Sequence, residues 1–328
     1  MEDRLIGRRQ WLAASLAAAA TAALPRGARA AASYATGPVT LVVPFSAGGQ
    51  FDSIARQVAR PLSADLGQQV IIENIGGAGG NIAASKVARA RPDGQTLLMY
   101  GGNIAIARSM YRKLDYDPQE DLLPVSRISI APHVVMASSK LGIQTFAQLR
   151  DRLKQGAQMS YGSPGVGTSM HLTFEIIKDH FGLDIVHIPY KGGANVMTDL
   201  VGGQIELGLI AVGPALEFIR NGKVVPIGVT SKARSPALPD VPAFSELGMP
   251  DLDAGSWAGL SVPKGTPAAV VSRLNAAVAA AVRTPELHKL FADQGFVATA
   301  GTPAEMRQFA LQEARRYDPI IRKLALQN

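Results

Sequence analysis

Residues 39–52 read Val39-Thr40-Leu41-Val42-Val43-Pro44-Phe45-Ser46-Ala47-Gly48-Gly49-Gln50-Phe51-Asp52. The first five are a β-rich run, and Pro44, which has no N–H to continue a ladder, stops it. A glycine-rich loop follows at residues 46–50. From about residue 52 to residue 66 the period becomes helical: Ile54, Val58, Leu62 and Leu66 recur every fourth residue and make one apolar stripe. Asp52 suits the N-cap and Gly67 the C′ position, while Pro61 is expected to kink the helix. Strand, glycine loop, helix is the repeating unit of an α/β protein.

Outward from this stretch the unit recurs. Residues 70–73 read as a strand, 74–80 as a second glycine loop, 81–90 as a small helix capped by Asn81, and 96–100 as a third strand. Gly101-Gly102-Asn103 then opens another short helix. After a bridging stretch at Val134-Val135-Met136 the pattern restarts, with strands at 159–161, 184–189, 205–212 and 224–230. Helices at 146–155, 169–181, 194–201 and 214–221 lie between them. Residues 231–253 are Pro-rich and irregular, 257–262 form a strand returning to the first unit, and three helices close the chain at 267–283, 285–294 and 303–324. Regular alternation predicts two α/β units, each with a parallel sheet covered by helices.

The first thirty residues have another plan. Arg4, Arg8 and Arg9 form a basic start, residues 11–24 an alanine-rich apolar run, and Ala28-Arg29-Ala30 a small-x-small cleavage site. That is an export signal over residues 1–30, and the run falls short of the ~20 apolar residues of a membrane span. Arg8-Arg9-Gln10-Trp11-Leu12 is similar to the twin-arginine signature; a general secretory signal with adjacent arginines fits the same residues. Given a Gram-negative source, a soluble periplasmic protein is expected.

Composition narrows the function. The leader holds five arginines against two acids, so the rest of the chain carries +4 of the total +7. That balance mildly favours anionic ligands, and without clustered basic residues or aromatics among them it does not indicate nucleic acid. With no cysteine, any Cys-based metal or redox site is excluded.

Four glycine-rich loops lie between a strand and a helix: 44–50, 76–81, 101–103 and 162–169. Such loops are where open α/β sheets bind ligands, and helix N-termini with Ser and Thr hydroxyls hold anions without a charged side chain. Each is also readable as an ordinary tight turn. No complete Gly-x-Gly-x-x-Gly or Walker lysine motif is present, so no nucleotide cofactor is assigned. Asp52 is readable as an N-cap or as a charged ligand group. Ser163 and His171 are conceivable as a hydrolytic pair, but Gly-x-Ser-x-Gly is absent. His133, His180, His187 and His288 show no metal spacing, so no metal is assigned. Lys191 is readable as an anion contact or a solvated loop lysine, and Trp257 as pocket lining or core.

Taken in order, these segments resemble the Bug-type solute-binding proteins of tripartite tricarboxylate transporters. The resemblance rests on Val42-Val43-Pro44-Phe45 with Gly48-Gly49 and Asp52; Glu73-Asn74 with residues 77–82; Arg91-Pro92-Asp93-Gly94; Tyr116-Asp117-Pro118; Tyr161-Gly162-Ser163 with His171; residues 187–192; Gly202-Gly203-Gln204; residues 235–242; and Ser256-Trp257 with Gly259-Leu260. It implies a type II periplasmic-binding-protein fold, a monomer, no enzymatic activity and no cofactor. Domain 1 would comprise residues 31–133 and 258–328 and domain 2 residues 134–257, joined by crossing segments near 130–138 and 254–262. A small carboxylate would sit in the cleft between them, bound for the transporter's large and small membrane subunits. The resemblance places ligand contacts on the 44–52 loop, here Phe45, Ser46, Gly48, Gly49, Phe51 and Asp52, and on the 163–171 loop, here Ser163, Gly167, Thr168, Ser169 and His171. Asn103, Lys191, Ala211 and Trp257 are added as candidate contacts from their own positions in the sequence.

Three departures bear on the ligand. Ser46-Ala47 replaces the prolines of many relatives, Phe51 a small polar residue, and Ala211-Val212-Gly213 an Asp or other polar residue. They point to a less polar pocket, suited to an aromatic or otherwise apolar carboxylate. A periplasmic sensor subunit presenting its ligand to a signalling receptor would use the same fold and cleft. A hydrolase using Ser163 and His171 is the third reading.

Overall fold

The computed structural model describes residues 37–45, 47, 50–190 and 192–326. The expected export signal lies outside the described residues. The strands are β1 (Val39–Val43), β2 (Val70–Asn74), β3 (Thr96–Gly101), β4 (Leu122–Ser138), β5 (Ser160–Ser163), β6 (Val186–Pro189), β7 (Leu207–Ala211), β8 (Val224–Val229), β9 (Gly255–Pro263) and β10 (Val297–Ala298). The helices are α1 (Gln50–Leu66), α2 (Asn81–Ala88), α3 (Gly102–Ala105), α4 (Ala107–Met110), α5 (Phe146–Lys154), α6 (Ser169–Phe181), α7 (Gly193–Gly202), α8 (Val212–Arg220), α9 (Ala268–Val282), α10 (Pro285–Asp293) and α11 (Pro303–Lys323).

The strands run in the order β2-β1-β3-β9-β4-β7-β5-β6, with β8 and β10 also paired to β4. The expectation of purely parallel pairing is corrected. β1 pairs β2 and β3, and β5 pairs β6 and β7, in parallel, but every pair made by β4 or β9 is antiparallel. The cause is connectivity: these two strands enter each half of the sheet from the other half and run against its parallel strands. β4 also begins far upstream of the expected 134–136 segment. Pro124 and Pro132 mask it as a strand in the sequence, and a register shift between Pro124 and Ser126 accommodates the first of them.

One position organises the rest. Along β4, Pro132 is the last residue opposite β9, facing Gly255, and His133 is the first opposite β7, facing Ala211. The strand changes partner there. On the first half, Ile54, Val58 and Leu62 of α1 are fully buried against β1, β9 and α9. Each such side chain contributes about 1.5–3 kcal/mol by leaving water. The helix starts at Gln50, so Asp52 lies in its first turn rather than at the N-cap, and it runs unbroken through Pro61. The second half packs Phe146, Tyr161, Phe174 and Phe244 around β5 and β7.

α11 ties the halves together a third time. Tyr317, Ile320 and Ile321 pack with Ile106 and Met110 of the first half and Leu172 of the second. The Tyr317 hydroxyl meets Thr173 Oγ1 at 2.9 Å, and Lys323 pairs with Asp179. No helix among the described residues is long and apolar enough to cross a membrane.

Candidate functional site

Where the halves meet, the surface opens into a cleft of about 890 Å³. One wall comes from the loop between β5 and α6: Pro164, Val166, Gly167, Thr168, Ser169 and Met170. The other comes from the start of α1 and from α3–α4: Phe45, Gln50, Phe51, Asn103, Ile106, Met110 and Tyr111. Gly255, Ser256 and Trp257, where β9 begins, complete the lining with Tyr317. Among the described residues that line the cleft none is charged.

The β5–α6 wall is positioned from behind. Thr168 caps α6, its Oγ1 accepting from the His171 amide at 3.2 Å and donating to the Gly165 carbonyl at 2.8 Å. The Gly167 amide donates to His171 Nδ1 at 3.1 Å. Gly167 has φ +75°, and a side chain there would drive its Cβ to 2.5 Å from Met110 Cε on the opposite wall. Among the described residues, the amides of Ser169 and Met170, at the open end of α6, take no protein acceptor. Both residues face the cleft, where the helix dipole favours negative charge.

Behind that wall lies a buried polar layer. The His171 and His187 rings stack at 4.0 Å, and His187 Nε2 lies 2.8 Å from Ser163 Oγ. Tyr161 donates to Glu175, which also accepts from Lys178. Burial lowers both histidines, His187 to about 4, so both are neutral near pH 7. Under the cleft floor His133 is fully buried, with Nε2 3.1 Å from Ser256 Oγ and 3.4 Å from Ser169 Oγ. Burial pushes it down to about 3.

The opposite wall is held by packing. Phe45 and Phe51 meet at 5.0 Å between ring centroids, tilted by 53°. Trp257 is almost wholly buried against Tyr100 and Phe309, and its indole N–H donates to Glu313 at 3.3 Å. It is therefore core with one edge on the cleft. Glu313 also accepts from Arg316, yet burial raises its carboxyl to about 7.

Of the residues singled out in the sequence, Phe45, Phe51, Asn103, Gly167, Thr168, Ser169 and Trp257 come together in the cleft lining. Four others lie behind it. Asp52 is buried, accepting from Arg56 at 2.9 Å and Asn74 at 3.1 Å. Ser163 is fully buried on His187, and His171 supports the loop. The conceived Ser163–His171 pair is thereby overturned: the serine bonds the other histidine and no substrate reaches it. Ala211 is buried opposite His133. Gly213 lies against the Gln294 carbonyl, where a Cβ would come to 2.0 Å, so the departures at 211–213 reflect packing. Ser46, Gly48, Gly49 and Lys191 lie outside the described residues.

Sequence reasoning missed Gln50, Ile106, Met110, Tyr111, Ser256 and Tyr317. Ser256 sits in a segment already noted beside Trp257, and its hydroxyl was the available signal. Tyr317 arrives from a helix far along the chain and gave none. No group of side chains suited to hold a metal occurs among the described residues.

An α/β fold spanned by two shared strands, with a cleft at their crossing whose described lining carries no charge, defines a solute-binding protein. The chain belongs to the family described as the tripartite tricarboxylate transporter family receptor, which matches residues 54–326. It is 32% identical over 293 residues to the protein BugT of Bordetella pertussis, covering 88% of this chain and 90% of that one. Two solved relatives come from Rhodopseudomonas palustris. One, with adipate, is 33% identical with a TM-score of 0.75, covering 88% of this chain and 97% of that one. The other, MatC with bound malate, is 30% identical with a TM-score of 0.72, covering 87% and 99%. The family is one of transporter receptors rather than enzymes, and a further solved relative, 32% identical with a TM-score of 0.73 and covering 90% of this chain and 99% of that one, is described as the periplasmic binding protein BugD.

Proposed function

We propose that the protein captures a small carboxylate in this cleft, in the periplasm, and delivers it to a tripartite tricarboxylate-type membrane transporter. The observation that carries the reading is the open N-terminus of α6. Gly167, Thr168 and Ser169, with Ser256 opposite, put amides and hydroxyls around one end of a cleft whose described lining has no charge. Such a cradle suits a carboxylate head. Phe45, Phe51, Ile106 and Met110 give the rest of the cleft an apolar lining, suited to an alkyl or aryl body. The relatives solved with adipate and malate support the same class.

On this reading residues 31–133 with 258–328 close against 134–257 around the ligand. Residues 1–30 direct export, by the twin-arginine route if Arg8-Arg9 are read by that machinery. Calorimetry with hexanoate, 3-phenylpropionate, adipate and malate, and with neutral sugars as controls, tests the proposal. Saturable binding of one acid with compaction in small-angle scattering is expected. Stabilisation by sugars and by none of the acids would overturn it.

A further inference from the structure

We infer that His133 gives this site its preference for an anion: as the neutral Nε2–H tautomer it donates toward the Ser256 and Ser169 hydroxyls and leaves both to donate into the cleft. The inference rests on the carboxylate reading above and assigns a positioning residue to it.

His133 occupies the position where β4 exchanges β9 for β7. Its backbone is fixed on both sides: its amide donates to Thr230 Oγ1 at 3.1 Å, and its carbonyl accepts from the Thr230 amide at 3.0 Å. Thr230 Oγ1 also bonds the Ala254 carbonyl at 2.7 Å, just before β9 starts. These bonds hold the ring at the point where the strand changes partner. Its Nε2 faces two hydroxyls from different elements, Ser256 on β9 at 3.1 Å and Ser169 on α6 at 3.4 Å. Both serines line the cleft; the ring does not.

The tautomer follows from the other nitrogen. Nδ1 is buried and has no hydrogen-bond partner. A buried N–H without an acceptor is rarer and costlier than a bare acceptor nitrogen, and a charged ring would leave that N–H orphaned as well. The proton accordingly sits on Nε2. Burial, which holds the ring neutral, agrees with this. With Nε2–H donating, Ser256 Oγ uses a lone pair toward the ring and keeps its proton for the cleft. Ser169 Oγ takes the weaker branch, and its one other neighbour is the poor acceptor Met170 Sδ at 3.6 Å. In the opposite tautomer Nε2 would consume one of these protons, and the floor would present lone pairs to a carboxylate. The imidazole thus sets the polarity of two hydroxyls. A carboxylate offers an acceptor oxygen to each of the two hydroxyls, whereas a carboxamide offers only one.

The test has two arms. In the first, the protein carrying ¹⁵N-labelled histidine is studied by imidazole NMR near pH 7 without added ligand. The chain has 5 histidines, and His133→Gln identifies the resonance. A neutral Nε2–H pattern is expected for His133; an Nδ1–H or imidazolium pattern would overturn the inference. In the second, calorimetry compares hexanoate with hexanamide. His133→Gln, whose amide N–H reaches the same hydroxyls, should keep the wild-type preference. His133→Leu should weaken hexanoate about tenfold and leave hexanamide unchanged, with urea unfolding confirming a folded variant. An unchanged hexanoate-to-hexanamide ratio in His133→Leu would defeat the inference and leave carboxylate capture standing. If another acid of the screen binds in place of hexanoate, it and its amide take over the comparison; if none binds, the carboxylate reading falls and the NMR arm alone decides His133.

Discussion

The two walls of the cleft solve different problems. The β5–α6 wall is tied from behind at successive residues: Gly167 to His171, Thr168 to Gly165 and His171, Ser169 to His133. The wall from α1 and α3–α4 is shaped by ring contacts such as Phe45 on Phe51. A carboxylate is recognised by direction, which needs hydrogen-bond donors held at fixed angles. An apolar body is recognised by area, which tolerates small shifts. The difference teaches that rigidity is concentrated where angles matter, and that the supports lie outside the cleft.

pH separates the supports of the two walls, and the expected effect is the largest here. Behind the β5–α6 wall, burial lowers His187 to about 4, and His133 below the floor to about 3. A lowered folded-state pKa gives stability that is present above the unfolded value of about 6.5 and lost as pH falls toward the folded value. Behind Trp257, burial raises Glu313 to about 7. Its stability is present below about 4.5 and lost as pH rises through 7. The windows overlap with opposite signs between about pH 4.5 and 6.5, where each group contributes at most ~1.4 kcal/mol per pH unit, less for the partly exposed His187. His133 and His187, with His171 shifted in the same direction by burial, outweigh one carboxyl, so wild-type stability should climb with pH through that window. Glu313→Gln should steepen the climb by up to about 3 kcal/mol across it, and His187→Gln should flatten it. Urea unfolding at half-unit pH steps measures this; parallel curves for the three proteins would break the assignment of pH effects to these walls.

Ser163→Ala asks whether the hidden layer holds the loop. It strips His187 Nε2 of its 2.8 Å partner inside the protein. Leaving a buried polar group unpaired costs about 1–3 kcal/mol; His187 is only partly buried, but the Gly165 amide loses its Ser163 acceptor as well, so about 2 is expected here. Hexanoate affinity should fall with it, although Ser163 does not line the cleft. A stability change under about 0.5 kcal/mol would place Ser163 among ordinary surface-like substitutions.

The same contrast explains what could be read in the sequence. The periods at residues 39–43 and 54–66 report burial along single elements, so β1, α1 and most helices were legible. β4 was not, because Pro124 and Pro132 interrupt its period while β9 supplies the pairing from 130 residues away. In the site, Gly167, Thr168 and Ser169 announce a helix N-terminus by local chemistry, and Phe45 and Phe51 flank a visible glycine loop. His187, Ser256 and Tyr317 become parts of the site only through tertiary contact, which no local pattern encodes. Ser163 and His171 were singled out in the sequence, but the partners they bond in the fold were not.

Gly101→Ala sharpens the apolar side. A Cβ at Gly101 would lie 2.5 Å from Phe51 Cζ and 2.9 Å from the Trp257 carbonyl oxygen. The Phe51 ring must swing into the cleft, and hexanoate binding should weaken about tenfold, or ~1.4 kcal/mol. In a Phe51→Ala background most of that loss should vanish, because the ring that would be displaced is gone. Strictly additive effects in calorimetry would mean the clash is resolved at Trp257 instead, away from the apolar wall.

Thr168→Ala carries the smallest expected effect and bears most directly on the comparison. The hydroxyl caps α6 by accepting from the His171 amide, and it also lines the cleft. Losing an N-cap costs about 1 kcal/mol, and Thr168→Ser should restore nearly all of it. Because one group does both jobs, stability and hexanoate affinity should fall together in Thr168→Ala and return together in Thr168→Ser. Phe45→Ala, on the opposite wall, should lower affinity with little change in stability, since its ring is only half-buried and makes no hydrogen bond through its side chain. If Thr168→Ala also lowered affinity alone, the β5–α6 wall would be a set of ligand contacts like the other, and the supports behind it would have no part in recognition.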